Sequence, residues 1–466
     1  NAASEKITGT VTISAGGGNP DAAQLKSIND ATNATIIVPS KAVALSGTAA
    51  VLAAALTGTV TDAASAKIEG NVTISSAPTE AELKTINDGT NASLQIPAAN
   101  QTFSASAAVL AAALTGTVTG PGSAALSGAV TVSDSATDNV AATLLSTIAT
   151  GTGGVVTVTS AINITGTTDQ VIAALDTNGV IAATATITLD DTPSLANLKT
   201  INDATAGSIK IANGSQTYSG SAAVLAAALD GTVVEVTTGA ALTGAVTVSD
   251  DATASIAATV LSTIGGGTSG TVTVSNAITI TGNTAQVIAA LDTESTKVIA
   301  GTAKVTLSDT PSLDNLKKIN DATSGTIKIL SGSQAYSGTA EVLAAALTGT
   351  VTDTSDAVLT GAMTITGSNP TPAELQTINN ATTGNVIIPA KTVALTATAA
   401  VLEEALAGTV QDGSGDAITG TVTISGANPT SAQLKIINDS VAGTVVVPSK
   451  TVALSGTAAA LAAALT

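Results

Sequence analysis

Short stretches in which apolar and hydroxylated residues alternate are spread along the whole chain. Residues 9–14 read Gly-Thr-Val-Thr-Ile-Ser, and residues 270–275 read Gly-Thr-Val-Thr-Val-Ser. A period of two places alternate side chains on opposite faces of a strand, one face buried and the other in water. The pattern therefore predicts many short strands, each with a single apolar face.

Two kinds of short helix alternate with these strands. The first reads Leu-Lys-x-Ile-Asn-Asp, with Leu25 and Ile28 three residues apart and hence on one buried face. It starts near a Pro, which the first helical turn tolerates. We expect Asn29 and Asp30 to end it, because Asn adopts the left-handed conformation that a C-cap requires. The second helix, within residues 46–56, opens with a Ser/Thr cap and is rich in Ala and Leu.

These elements recur in a fixed order along the chain, with a period of about 55 to 63 residues. Strand material followed by a helix occurs twice in each repeat, so the elementary coil is about half a repeat. The stretch 125–240 reads as a duplicate of 241–357. The repeats cover residues 6–66, 67–124, 125–185, 186–240, 241–303, 304–357, 358–417 and 418–466.

Coils of this kind bury their apolar faces by stacking on one another. The sequence thus predicts an α/β repeat solenoid of about sixteen strand-strand-helix coils, with parallel strand ladders and one helical face. We expect the ladders to be continuous and residues 1–466 to form one continuous solenoid. The alternative is a doubly wound α/β fold, which would have longer amphipathic helices and larger core residues.

The composition favours a thin core and removes most catalytic chemistry. The chain is 44% hydrophobic but only 1% aromatic, and it contains no Cys, His, Trp or Arg. Ser-His-Asp and Cys-His mechanisms are therefore impossible, and zinc and haem lose their usual ligands. The remaining enzymatic alternative is a polysaccharide-acting β-helix with paired carboxylates. Because pairs such as 190–191 and 250–251 repeat with the coil, we expect no enzyme.

Charge and hydropathy limit the kinds of partner and membrane association that we expect. A net charge of -18 repels nucleic acid. No run approaches the roughly 18 apolar residues of a membrane span, and the first residues lack the apolar stretch of a signal peptide. The start at Asn1, without an initiator Met, suggests a processed or excised chain.

Both ends of the sequence match interior segments. Residues 1–9 align with 62–70, and residues 462–466 align with 53–57. Monomeric repeat proteins need polar capping coils, and these ends show none. We therefore expect either a window of a longer array or head-to-tail stacking into an open homopolymer. The predicted axial contacts are Ile7, Val11 and Ile13 at one end, and Val452, Leu454, Leu461 and Leu465 at the other.

Three recurring phrases suggest a family: Val-Thr-Val-Ser-Asp, Leu-Lys-Thr-Ile-Asn-Asp-Ala-Thr and Ala-Ala-Val-Leu-Ala-Ala-Ala-Leu-Thr-Gly-Thr-Val. In these the chain resembles, over essentially its whole length, the tandem arrays of giant secreted, cell-surface structural proteins of cyanobacteria. The resemblance implies an extracellular structural or adhesive role without catalytic residues. A secreted filament, sheath or surface layer fits, with cell-surface polysaccharide as a further partner. The Gly-Gly-x-Gly-x-Asp calcium repeat that often accompanies such proteins is missing.

Two binding alternatives remain open. The recurring Asn-Asp pairs could form a calcium ladder, although helix caps joined by stacked Asn hydrogen bonds explain them better. Outward threonines, as in the Thr-Ile-Thr segments 279–281 and 364–366, could bind ice or carbohydrate, or could reflect strand propensity alone. The alternatives to a filament are thus an adhesin stalk and an ice- or carbohydrate-binding repeat protein. We expect no cofactor, with calcium as the open alternative.

Overall fold

Short helices and short strands alternate along the chain, which confirms the predicted α/β repeat of strand–helix coils. The computed structural model describes residues 5–176, 179–292, 294, 296–449, 454–455 and 457–465. Over these residues it has sixteen α-helices of 8–10 residues and thirty-two strands of 2–4 residues. One helix per coil matches the predicted number of coils. Helices this short are marginal in isolation and depend on packing for their stability.

The α-helices are α1 (Ala22–Asp30), α2 (Ala49–Leu56), α3 (Glu80–Gly89), α4 (Ala107–Leu114), α5 (Ala142–Gly151), α6 (Thr168–Asp176), α7 (Leu195–Ala204), α8 (Ala222–Leu229), α9 (Ala258–Gly266), α10 (Thr284–Leu291), α11 (Leu313–Ala322), α12 (Ala340–Leu347), α13 (Pro372–Asn380), α14 (Ala399–Leu406), α15 (Ser431–Asp439) and α16 (Ala458–Leu465). Two 3₁₀ turns lie at Ala15–Gly17 and Pro121–Ser123.

The strands of the first half are β1 (Val11–Thr12), β2 (Ile36–Ile37), β3 (Leu45–Gly47), β4 (Val60–Thr61), β5 (Val72–Ile74), β6 (Leu94–Gln95), β7 (Phe103–Ala105), β8 (Val118–Thr119), β9 (Val130–Val132), β10 (Asn139–Ala141), β11 (Val156–Val158), β12 (Asn163–Gly166), β13 (Val180–Ile181), β14 (Thr186–Leu189), β15 (Ile209–Ile211), β16 (Tyr218–Gly220) and β17 (Val233–Glu235). Those of the second half are β18 (Val246–Val248), β19 (Ser255–Ala257), β20 (Val272–Val274), β21 (Thr279–Gly282), β22 (Val298–Ile299), β23 (Lys304–Leu307), β24 (Ile327–Ile329), β25 (Tyr336–Gly338), β26 (Val351–Asp353), β27 (Met363–Ile365), β28 (Val386–Ile388), β29 (Leu395–Thr398), β30 (Val410–Asp412), β31 (Val422–Ser425) and β32 (Val445–Val446).

The chain divides into two compact units. One comprises Asn1–Gln216 with Ala227–Leu242, and the other comprises Thr217–Ala226 with Thr243–Thr466. The prediction of one continuous solenoid over residues 1–466 concerns the relation between these units, and it stays a prediction.

The first unit contains four sheets, all parallel: β1-β2-β4, β3-β5-β6-β8, β7-β9-β11-β13 and β10-β12-β14-β15-β17. Neighbouring strands are about one coil apart in sequence. In the second sheet, Leu45, Val72, Leu94 and Val118 lie side by side and are all buried. The alternation read from the sequence thus becomes a column of apolar side chains that runs across the sheet.

The second unit repeats this plan with the sheets β16-β18-β20-β22, β19-β21-β23-β24-β26, β25-β27-β28-β30 and β29-β31-β32. A five-stranded sheet occurs once in each unit, within the two duplicated stretches of sequence. In each unit the successive helices pack side by side, from α1 to α7 in the first and from α9 to α16 in the second. The predicted helical face is therefore present in both.

The strand ladders are parallel as predicted, but the expectation that they are continuous is wrong. Each sheet ends after three to five strands. The reason is visible in the second sheet, where β3 and β5 precede helices whereas β6 and β8 follow them. Along the sheet, the strand that precedes a helix is thus replaced by the strand that follows a helix. After this change the sheet continues for only one or two more coils and then ends at an edge strand. At the edge formed by β4, Asp62 accepts hydrogen bonds from Ala64 and Ala66, and the returning chain bridges Thr61 with Lys67.

Successive repeats approach each other closely at the glycine that precedes the first strand. A β-carbon added to Gly70 would lie 2.2 Å from the carbonyl oxygen of Val43, and one added to Gly361 would lie 1.8 Å from that of Gln334. Only glycine fits such a contact with backbone. Among the described residues, no helix is long and apolar enough to cross a membrane.

Candidate self-association surfaces

The predicted contact residues at the start of the chain form one surface, the first-coil surface, defined by Ile7, Val11 and Ile13. Ile7 is 56% exposed, and the other two are half-buried. Val11 donates its backbone N–H to the carbonyl oxygen of Thr35, and Ile13 donates to that of Ile37, both on the side of β2. Strand β1 is the edge strand of its sheet. The apolar column of this sheet is therefore accessible at its end.

The predicted residues at the other end form the last-coil surface, defined by Leu454, Leu461 and Leu465. Leu465 is 68% exposed, and Leu454 and Leu461 are half-buried. Val452, the fourth predicted residue, lies outside the described residues. The structure thus leaves apolar side chains open to solvent on both surfaces, whereas the axial contact itself stays a prediction.

Interior repeats show what these residues do when a neighbour is present. Ile68 and Val72, which occupy the positions of Ile7 and Val11 in the second repeat, are both 0% exposed. At Val72, strand β3 of the preceding repeat supplies the neighbour, because it pairs with β5. The first and last sheets, β1-β2-β4 and β29-β31-β32, are the two with three strands.

The Asn residues of the first-type helices cap the next helix. Asn87, in α3, donates from Nδ2 to the carbonyl oxygens of Ala112 at 2.7 Å and Thr115 at 2.6 Å, at the end of α4. These carbonyls have no partner within their own helix. The same bond to the following helix is made by Asn29, Asn202, Asn320 and Asn379.

The prediction that Asn29 and Asp30 end their helix is confirmed, because Asp30 is the last residue of α1. The predicted left-handed cap is wrong, because the C-cap is Ala31, which has right-handed φ and ψ angles of -91° and -7°. The Asn amide is needed one coil further on, at residues 25 to 28 positions away. That separation is slightly shorter than half of the 55–63-residue repeat, so the regular recurrence of Asn at this position is the sequence signal that points to the contact.

The Asp residues of the Asn-Asp pairs are engaged with lysine. Asp30 pairs with Lys26 one helical turn earlier, and four more helices repeat the pair. Across the described residues, no group of three acidic side chains is arranged to hold a metal ion. The positions weighed as a calcium ladder thus carry ion pairs on exposed helix surfaces.

The acidic pairs weighed as catalytic carboxylates contain helix caps. Asp191 Oδ1 accepts from the backbone N–H of Thr168 at 2.9 Å and from its hydroxyl at 2.6 Å, at the start of α6. Asp250 accepts from the N–H of Ala222 at 2.6 Å, at the start of α8. Each carboxylate lies one coil after the helix that it caps, where it also complements the helix dipole.

The threonine columns are short. Thr281 is flanked across the sheet by Ala257 and Thr306, and Thr306 is followed by Lys328. Thr364 is flanked by Ser337 and Ile387. At both Thr-Ile-Thr segments the threonine column is thus interrupted within one or two strands. A flat binding array needs a longer uninterrupted column, so these segments offer little support for ice binding.

Lysines link segments about one coil apart. Lys41 Nζ lies 2.9 Å from Glu69, and Lys391 Nζ lies 2.6 Å from Asp416. Hydrogen bonding to Glu69 raises the pKa of Lys41, and hydrogen bonding to Asp416 raises the pKa of Lys391. These pairs are well exposed and contribute little stability, but they favour one alignment of the two segments.

Comparison with known proteins adds no relative. No protein-family model matches the chain, and no curated protein matches it. One solved structure, titled "Crystal structure of a TDR receptor", is 7% identical, with 90% of this chain and 68% of that chain covered. Its TM-score of 0.17 is too low to carry an argument about fold or function.

Proposed function

We propose that this chain is a structural protein without enzymatic activity whose repeats stack head to tail into an extracellular filament, sheath or surface layer. One observation carries the proposal: Ile7 is 56% exposed at the first-coil surface, whereas Ile68, its counterpart in the second repeat, is 0% exposed. A second copy of this chain that presents its last coil would bury the first-coil surface as an interior repeat does. The extracellular setting is supported by the resemblance to secreted repeat arrays.

The composition and the local contacts agree with this role. The chain has no side chain that titrates near neutrality in the manner of His, and no thiolate. Asp191 and Asp250, one from each of the acidic pairs weighed for catalysis, are engaged in capping helices. Head-to-tail contacts between two different surfaces extend without limit, which suits a filament.

Electron microscopy and concentration-dependent light scattering test the proposal. We expect the unmodified chain to form filaments that lengthen with protein concentration. Ile7→Lys and Leu465→Lys each place a charge on an end surface without disturbing a buried position, so both should keep the chain monomeric. Ile181→Lys is the matched control, because Ile181 is 52% exposed but belongs to neither end surface.

Two outcomes would contradict the proposal. Dispersed single molecules at every concentration would favour an adhesin stalk or a monomeric spacer. Filaments that form equally well with Ile7→Lys and Leu465→Lys would show that other surfaces hold the copies together.

A further inference from the structure

We propose that the joint between copies is a parallel strand pair with one defined register, in which Leu454 of one copy lies beside Val11 of the next and Ser455 lies beside Thr12. This inference rests on the proposed function and specifies the partner of the first-coil surface residue by residue. The partner is a second copy of this chain, bound through its last coil.

The register comes from the joints between repeats inside the chain. At all seven such joints, a strand that precedes a second-type helix pairs in parallel with the first strand of the next repeat. An apolar residue lies beside an apolar residue each time. The pairs are Leu45 with Val72, Phe103 with Val130, Ile164 with Ile187, Tyr218 with Val246, Ile280 with Val305, Tyr336 with Met363, and Leu395 with Val422.

Both halves of the first of these joints recur almost unchanged at the ends of the sequence. Residues 454–465 differ from 45–56 only where Ala460 replaces Val51, and residues 9–14 differ from 70–75 only where Thr10 replaces Asn71. In the interior joint Leu45 donates its N–H to the carbonyl oxygen of Asn71 at 3.1 Å. The equivalent bond in the proposed joint runs from Leu454 to Thr10 of the next copy.

Gly9 provides independent support. At each of four interior joints the corresponding glycine faces the backbone of the preceding repeat, so that an added β-carbon would lie within 2.2 Å of a carbonyl oxygen. Around Gly9, none of the residues that the structure describes has an atom within 4 Å of such a β-carbon. The space that requires glycine at those four joints is thus open here, and the last coil of a second copy would fill it; at two other joints the equivalent residue is Ala185 or Ala303. The four interior glycines are Gly70, Gly128, Gly361 and Gly420.

Engineered cysteines test the register, because the chain has no cysteine of its own. A chain with Thr12→Cys is mixed with a chain that carries Ser455→Cys, and the mixture is mildly oxidised. Strand neighbours are about 4.8 Å apart, a Cα separation that a disulfide accepts. A single chain with Ser46→Cys and Thr73→Cys is the positive control, because these neighbours in the interior joint share the same outward face.

We expect the Thr12→Cys and Ser455→Cys pair to form covalent dimers roughly tenfold faster than a Thr10→Cys and Ser455→Cys pair, which is shifted by two residues, because the joint raises the effective concentration of the matched thiols. Each cysteine variant oxidised alone measures the background. Filaments that cross-link better in the shifted register would overturn the register and leave the proposed function standing. No association of any kind by light scattering would overturn both.

Gly9→Ala is the second test. It should leave the unfolding midpoint unchanged but weaken head-to-tail association roughly tenfold or more, because the added methyl group meets backbone only in the joint. Association as tight as that of the unmodified chain would refute the joint in this register. A lowered unfolding midpoint would also count against it, since that result would mean that Gly9 is needed within its own chain.

Discussion

The first and second repeats begin with nearly the same nine residues in different surroundings. Residues 6–14 and 67–75 differ at only two positions. In the second repeat Ile68 and Val72 are buried, and the strand before α2 pairs with the strand that contains Val72. In the first repeat Ile7 lies largely in solvent. The comparison teaches that the burial of nearly identical residues depends on their place in the array, as expected where each repeat contacts only its neighbours.

The largest difference should appear when the two isoleucines are truncated. Ile68→Ala removes a fully buried side chain and should lower the free energy of unfolding by about 2–5 kcal/mol. Ile7→Ala removes an exposed side chain and should change it by less than about 0.5 kcal/mol in the monomer. Urea denaturation at low protein concentration measures both. Equal losses for the two variants would contradict the comparison.

Substitution of glycines that do or do not contact a neighbouring repeat should give a smaller difference in stability. In Gly70→Ala the new β-carbon meets the carbonyl of Val43, and we expect a loss of about 1–3 kcal/mol from overpacking. Gly16→Ala is a suitable control, since nothing lies within 4 Å of its β-carbon position. If both variants unfold at the same urea concentration, the close approach of successive repeats is less rigid than described.

Removal of a capping Asn amide should have the next largest effect on stability. Asn87→Ala leaves the carbonyls of Ala112 and Thr115 without their donor, at an expected cost of about 1–2 kcal/mol. Hydrogen exchange at the end of α4 should accelerate more than exchange elsewhere. Asn91→Ala, in the loop after α3, serves as the control. Unchanged exchange in α4 would show that water replaces the amide without loss.

The smallest effect should come from acid titration of a surface turn. Hydrogen bonds from the backbone of Thr237 and the hydroxyl of Thr238 lower the pKa of Glu235 to about 2. A carboxyl whose pKa falls on folding stabilises the folded state above its unfolded pKa of 4.5, and that contribution is lost as the pH falls towards 2. Glu235→Gln should flatten this part of the pH–stability curve. Because the group is exposed, the change should be slight, and identical curves for the two proteins would contradict it.

The sequence predicts the repeating elements well because they are local. Period-two alternation indicated β20, and the apolar spacing in the first-type helices indicated their buried face, where Leu83 and Ile86 are fully buried. One helix per half repeat follows from the same spacing. These features depend on residues within one or two turns of each other, so a single segment carries the whole signal.

The contacts between coils were harder to foresee. The strands that precede a helix and those that follow one have the same Val-Thr pattern. The pattern alone therefore does not show where a sheet changes from one kind of strand to the other, or where it ends. Asn87 and Asp191 read as local helix or turn residues because their partners lie one coil away. Among the contact residues predicted at the ends, the structure places Ile7 and Leu465 in solvent, and only an assembly experiment can test their contact.

Because helix caps are shared between neighbouring coils, they determine how many coils can be gained or lost together when repeats are duplicated or deleted. Asn87 of a first-type helix serves the second-type helix that follows it, and Asp134 serves the start of that same helix from the coil beyond. Loss of a single coil would therefore leave capping groups on both sides of the deletion without hydrogen-bond partners. Loss or gain of a whole two-coil repeat would bring matching partners together again. Length variants of this protein should thus differ by whole repeats, as the duplicated stretch of two repeats already does.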